Sequence, residues 1–366
     1  MKQRSSNLEL YRILCMLLIV AHHYVVNSGV ASLDGPLTNE FTSANSIFFI
    51  LFGAWGKTGI NCFMMITGYF MCTSRISFRK FLKLMGQIYL YRWVFYAVFL
   101  LTGYETFTLQ RLIKLVMPFW NITDDFTSCF IVFWLTIPFW TILVQNMKQR
   151  QHQLLLILML GIYTILGSVP TFQVSFNYVT WFGIIFLISS YIRLYPHLIF
   201  ENKKFWGRLS LVSFSFDVLS VLLMNKLYGS KGIISYSYYF VSDSNKFLSV
   251  AIATCTFLWF KNININYSKL INSFGAATFG VLLIHANSDA MRTWLWKDTI
   301  DVVGHYSLPL VSMISYSIGV VLAIFVICNL VDQVRIFTLE KWFFKWYDNK
   351  LSVKADKCVA WLTNDR

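Results

Sequence analysis

The chain has 366 residues, of which 57% are hydrophobic, 18% aromatic and only 13% charged. Soluble domains carry about 25% charged residues, so the composition excludes an ordinary soluble enzyme and indicates a polytopic membrane protein. The net charge of +14 does not make it a nucleic-acid binder, because the cations sit in short loops between apolar stretches, as membrane topology requires.

The first apolar stretch, 9–30, holds the most informative pair of residues, Arg12 and His23. A helix turns about 100° per residue, so eleven residues bring the second side chain to within about 20° of the first, about 16 Å further along the axis. Glu9, three residues before Arg12, falls on the same stripe. Ionisable groups inside a membrane are costly to insert and usually face a protein interior or a watery cavity. Glu9, Arg12 and His23 are therefore candidate site residues, with the imidazole expected near mid-bilayer. The competing readings are an interfacial anchor for Arg12 paired with Glu9, and a packing hydrogen bond for His23. His22 points about 100° away and reads as packing. Gly29 and Ala31 mimic a signal-cleavage site, but His22 and His23 interrupt the apolar core, so the stretch reads as a retained first helix.

Nine further stretches follow, at 46–71, 82–103, 126–145, 154–170, 177–195, 209–226, 247–261, 272–288 and 309–331. Most reach the roughly 17–25 residues a spanning helix needs, and those starting at Leu154, Phe247 and Asn272 are the shortest. Leu112 to Trp120 contains Pro118 and is too short to span, which suggests a re-entrant or interfacial piece. The sequence thus predicts an all-α transmembrane bundle of about ten spans. With both termini cytoplasmic, the inside pieces hold roughly three Lys or Arg for each one outside, and an odd number of spans would scramble that bias. Lys57 and Arg92 fall within spans. Residues 1–331 form the membrane domain. Residues 332–366 read as a basic amphipathic cytoplasmic tail attracted to anionic lipid. No internal repeat or broken helix of the transporter kind stands out.

The seven cysteines are scattered, mostly inside apolar runs, without a Cys-x-x-Cys or a Cys/His cluster of metal spacing. They read as buried apolar side chains, and no metal is expected. His152, His197 and His305 fall in loops or at span edges and need no special role.

Four segments carry a family resemblance. NLELYRILCMLLIVAHH resembles the first helix of the integral-membrane acyltransferase family 3, in which an Arg and a His are separated by ten residues, matching Arg12 and His23. GKTGINCFMMITGYFM resembles that family's Gly-Val-Asp-x-Phe-Phe-x-x-Ser-Gly-Phe pattern, with Asn61 in place of Asp and Thr67 in place of Ser. SCFIVFWLTIPFW is similar to its aromatic helix around Pro138, and FGAATFGVLLIHANSDAMRTWLW to its Phe-Gly-Val-Tyr-Leu-Ile-His segment, with His285 in register. The chain departs where the family often has two arginines three apart, since FLKLMGQIYLYRW offers Lys83, Gln87 and, further in, Arg92.

The resemblance implies O-acylation of a cell-surface polysaccharide or its lipid-linked precursor, with acetyl-CoA or another acyl-CoA as donor. Acyl transfer to a hydroxyl needs a base and donors for the developing oxyanion, and histidine is the commonest base. His23 is the expected base, with Arg12 and Glu9 as further catalytic candidates on the same helix stripe. Arg12, Arg79, Lys80, Lys83 and Arg92, with Arg75, are the expected donor-binding cations, because Arg grips phosphate through its bidentate fork. Asn61, Thr67 and His285 are candidates for substrate contact or support. Asn61 and Thr67 read more naturally as helix–helix hydrogen-bonding groups, and His285 reads equally as packing. The implied setting is a bacterial plasma membrane, multi-pass, with lipids and glycan as partners and a homo-oligomer left open. The competing functions are a flippase or transporter of lipid-linked saccharides and a polysaccharide polymerase. The polymerase would need a larger extracytoplasmic loop than Leu227 to Lys246.

Overall fold

The computed structural model describes residues 5–74, 77–123 and 125–351. Arg75, Cys358 and the end of the tail from residue 352 lie outside the described residues. Among the described residues there is no strand. The principal helices are α1 (Ser6–Val26), α2 (Ala44–Gly53), α3 (Gly56–Met71), α4 (Phe78–Leu101), α5 (Phe126–Asn146), α6 (Gln149–Met159) and α7 (Tyr178–Leu194). They continue with α8 (Lys203–Tyr228), α9 (Phe247–Lys261), α10 (Lys269–Ala276), α11 (Thr278–His285), α12 (Leu310–Arg335) and α13 (Lys341–Lys350).

Among the described residues, seven helical runs are long and apolar enough to cross a membrane: α1, α2 with α3, α4, α5, Gln149–Ser168, Lys203–Lys231 and Leu310–Lys350. A bent pair, in which Lys269–His285 and Asp289–Thr299 meet at 93°, has the length and apolarity of a broken span or a re-entrant loop and counts as an eighth crossing in the first case. α7 and α9 are shorter, at 17 and 15 residues. A 15-residue helix is about 22 Å long, less than the hydrocarbon thickness of about 30 Å. Both lie largely buried within the bundle, so the figure of ten requires counting these two as crossings as well.

The sequence shows no sign of the broken helix, and its location matters. Backbone leaves helical geometry at membrane depth only where protein or a watery cavity takes over its hydrogen bonds. Here the break follows His285 directly.

α1 is the hub of the bundle. It packs on α2, α3, α9, α10, α11 and α12, and Met16, Val20 and Tyr24 are fully enclosed. The chain reverses after α1 at Gly29, whose φ of 93° is open to glycine and strained for other residues. α11 and α12 meet at Gly280, where the Asp332 side chain fills the space a Cβ would need. α5 runs through Pro138 without ending.

The helical run from Leu310 passes residue 332 without a break and continues through a π-turn, Ile336–Glu340, into α13. Along it Phe337, Leu339, Trp342 and Trp346 are exposed, whereas Phe344 and Tyr347 pack inward.

Candidate active site

His23 and His285 come together at the ends of two helices. His23 lies in the last turn of α1, and His285 is the last residue of α11. His23 Nδ1 is 2.9 Å from His285 Nε2, and His285 Nδ1 is 2.6 Å from the Val281 carbonyl oxygen. A carbonyl can only accept, so the His285 Nδ1–H donates to it. With both rings neutral, His285 Nε2 then accepts and the His23 Nδ1–H donates. That leaves a lone pair on His23 Nε2, the arrangement a general base needs. His285 is fully buried.

His23 lines a cavity of about 180 Å³ together with His22, Lys57, Arg92, Asp125, Tyr178, Asn287 and Arg292. Two helices begin at its wall, since Phe126 and Tyr178 are the first residues of α5 and α7, and Gly56 and Lys57 stand just after the α2–α3 junction. Helix N-termini carry partial positive charge. The lining thus brings two helix starts and the cations Lys57, Arg92 and Arg292, with one carboxylate, Asp125, around the His23 imidazole. Such a site can meet a developing anion with fixed positive charge. Arg92, Asp125, Asn287 and Arg292 also line a vestibule of about 1,100 Å³, bordered by the helix Leu109–Val116 and by Trp120, Tyr96 and Tyr104. The piece around Pro118 thus borders the approach to the histidines.

Glu9 and Arg12 sit at the other end of α1, joined by an ion pair of 3.3 Å. Glu9 packs against Gly275 of α10, and nearby Asn329 donates to the Phe274 carbonyl. One turn further along α12, Asp332 accepts from Gln87, Tyr91 and Arg335. Arg335 and Lys83 both pair with Glu340, at 2.6 and 2.5 Å. Arg79 makes a two-pronged pair with Asp348 and lies over the Phe344 ring, and Lys80 donates to Ser74. Of the expected donor-binding cations, Arg79 and Lys83 are thus tied to carboxylates of the C-terminal helical run. Arg92 is separated from this group, about 20 Å from Arg79 along α4, and belongs to the histidine cavity instead.

A family model described as an acyltransferase domain matches residues 5–329. The chain belongs to acyltransferase family 3. Membership makes it a membrane acyltransferase, and the match runs from the start of α1 to near the end of α12, including both site histidines. No curated protein and no solved structure matches the chain.

In this acyltransferase Asn61 is fully buried, donates to the Ser244 carbonyl and accepts from Trp181 Nε1. Its amide ties α3 to α7 and to the loop before α9. Thr67 bonds back to the Phe63 carbonyl of its own helix. Neither lines the cavity. His22 does, although its Nδ1 is held 2.6 Å from the Gly53 carbonyl at the α2–α3 junction. His152 is buried against the Leu187 carbonyl, His197 caps a short 3-10 turn, and His305 stacks on Tyr316.

The sequence reading left Lys57, Asp125, Tyr178, Asn287 and Arg292 without a role. Lys57 carried a usable signal, an ionisable residue inside a span. The other four lie at helix ends or in loops that only the fold brings to the cavity.

Proposed function

We propose that the protein is a membrane O-acyltransferase that moves an acyl group, acetyl in the first instance, from acyl-CoA to a hydroxyl of a cell-surface polysaccharide or its lipid-linked precursor. The setting proposed is a bacterial plasma membrane, with ten spans and both termini in the cytoplasm. The observation that carries the reading is the chain of contacts from the Val281 carbonyl through His285 to His23, which with neutral rings leaves His23 Nε2 as an acceptor in a cavity lined by Lys57, Arg92 and Arg292.

The acceptor hydroxyl oxygen attacks the acyl carbonyl carbon while His23 Nε2 takes its proton. The carbonyl pair moves onto oxygen, and the resulting oxyanion is met by the cations of the cavity lining. Collapse breaks the carbon–sulfur bond, and the departing thiolate of coenzyme A recovers the proton from His23. Acceptor enters through the vestibule, whose tyrosines and tryptophan offer faces for sugar rings. Donor approaches from the Arg12 end, since coenzyme A is made in the cytoplasm and Arg suits its phosphates.

A flippase also draws on broken helices, and this chain has one. The family to which it belongs favours group transfer over transport. Transfer of label from acetyl-CoA to envelope glycan tests the proposal, with acetyl groups lost from the glycan of a deletion strain by NMR. Unlabelled glycan together with unchanged NMR spectra would remove it.

A further inference from the structure

Lys57 is a charged residue inside the crossing run formed by α2 with α3, where an ionisable group is costly unless it is partnered. The fold supplies its partners. Lys57 Nζ donates to Tyr178 Oη at 2.6 Å and lies 3.7 Å from Asp243 Oδ1. Tyr178 in turn donates to Asp243 at 3.2 Å, and the backbone N–H of Ser244 binds the same carboxylate oxygen at 2.8 Å. Lys57 and Tyr178 both line the cavity that contains His23. A charged residue inside a span that a tyrosine and a carboxylate from two other segments hold at a cavity wall is the pattern expected of a functional group.

From this geometry, and resting on the acyl-transfer reading above, we infer that Lys57, positioned by Tyr178 and Asp243, stabilises the oxyanion of the tetrahedral intermediate. The bonds made and broken are those of the transfer step itself, carbon–oxygen formed and carbon–sulfur cleaved. Lys57 stays protonated throughout and supplies charge rather than a proton. Tyr178 and Asp243 act as positioning residues. Their hydrogen bonds fix the long lysine side chain in advance, so its charge is in place before the oxyanion develops.

The test uses full-length protein in lipid nanodiscs, acetyl-CoA and the envelope glycan fraction, read as initial rates of thiol release and label transfer. Lys57→Met should lower kcat by about a hundredfold or more, the usual effect of deleting an oxyanion donor, with the KM for acetyl-CoA within about threefold of wild type. Lys57→Arg should recover part of kcat, which a merely structural lysine would not require. Asp243→Asn should give an intermediate kcat. His23→Gln runs in parallel as the probe of the reading beneath. An inactive His23→Gln beside a Lys57→Met variant with near-wild-type kcat overturns the inference and leaves the reading intact. An active His23→Gln beside a kcat-impaired, Arg-rescued Lys57 removes His23 as base and keeps the role of Lys57. A wild-type protein that transfers nothing removes both.

Discussion

His285 is held to the Val281 carbonyl by one ring nitrogen and to His23 by the other, so a residue near the end of the chain sets the tautomer of one near its start. His285→Phe keeps the ring volume and removes the acceptor. The variant should accumulate in the membrane and bind acetyl-CoA, yet transfer label at least about a hundredfold more slowly, the lower end of what a misplaced general base costs. His23→Ala should abolish transfer. His22→Ala should be milder, because its bonded nitrogen serves the Gly53 carbonyl and not the histidine pair. Transfer rates for the three variants at equal protein levels decide the ranking.

Topology is tested by reporter fusions. With ten spans and both ends inside, fusions after Lys148 and Lys203 should read cytoplasmic and those after Asp34 and Lys231 extracytoplasmic. If the short helix α7 turns back without crossing, the fusions after Lys203 and Lys231 invert while those after Asp34 and Lys148 do not. An inverted reading after Lys203 with a normal one after Lys148 would place the error in Gln149–Ser168 or α7.

Periodicity and charge made the helices, the polar stripe of α1 and the membrane setting readable, because each is a property of consecutive residues. The His23–His285 contact was reachable through motif resemblance alone, since nothing local in either helix says that the two ends meet. The sequence expectation of an imidazole near mid-bilayer followed from the longer span 9–30. α1 begins at Ser6 and stops at Val26, which puts His23 in its last turn. The break after His285 was not readable because Ala286–Ser288 carries neither proline nor glycine. Arg92 was grouped with Arg79 by proximity in sequence, and the straight run of α4 separates them.

Packing at Gly280 gives a stability test with its own control. Gly→Ala inside a helix is intrinsically favourable by about 0.5–1 kcal/mol. At Gly280 the added methyl would overlap the Asp332 carboxylate, which Gln87, Tyr91 and Arg335 hold in place. Overpacking of this kind costs about 1–3 kcal/mol, so Gly280→Ala should lower the thermal unfolding midpoint. Gly86→Ala, on α4 with open space around it, should leave the midpoint unchanged or raise it. Equal shifts for the two variants in one detergent would show that the Asp332 contact does not constrain α11.

The last prediction concerns how the donor is held. Arg12 stands about 16 Å from His23 along α1, roughly three turns, a gap that a pantetheine arm could bridge. All three cations are paired with a carboxylate, Arg12 with Glu9, Arg79 with Asp348 and Lys83 with Glu340, so phosphate would have to compete at each. Arg12 is expected to contribute more to donor affinity than either because it shares α1 with His23, within one pantetheine length of it. Arg12→Lys preserves the positive charge that topology requires but loses the bidentate fork. If Arg12 grips a phosphate, the purified variant should bind acetyl-CoA about tenfold more weakly or worse, with Arg79→Lys closer to wild type. If it serves only as an interfacial anchor, Arg12→Lys should match wild type in both affinity and transfer, and the docking of donor at this end of α1 would be excluded.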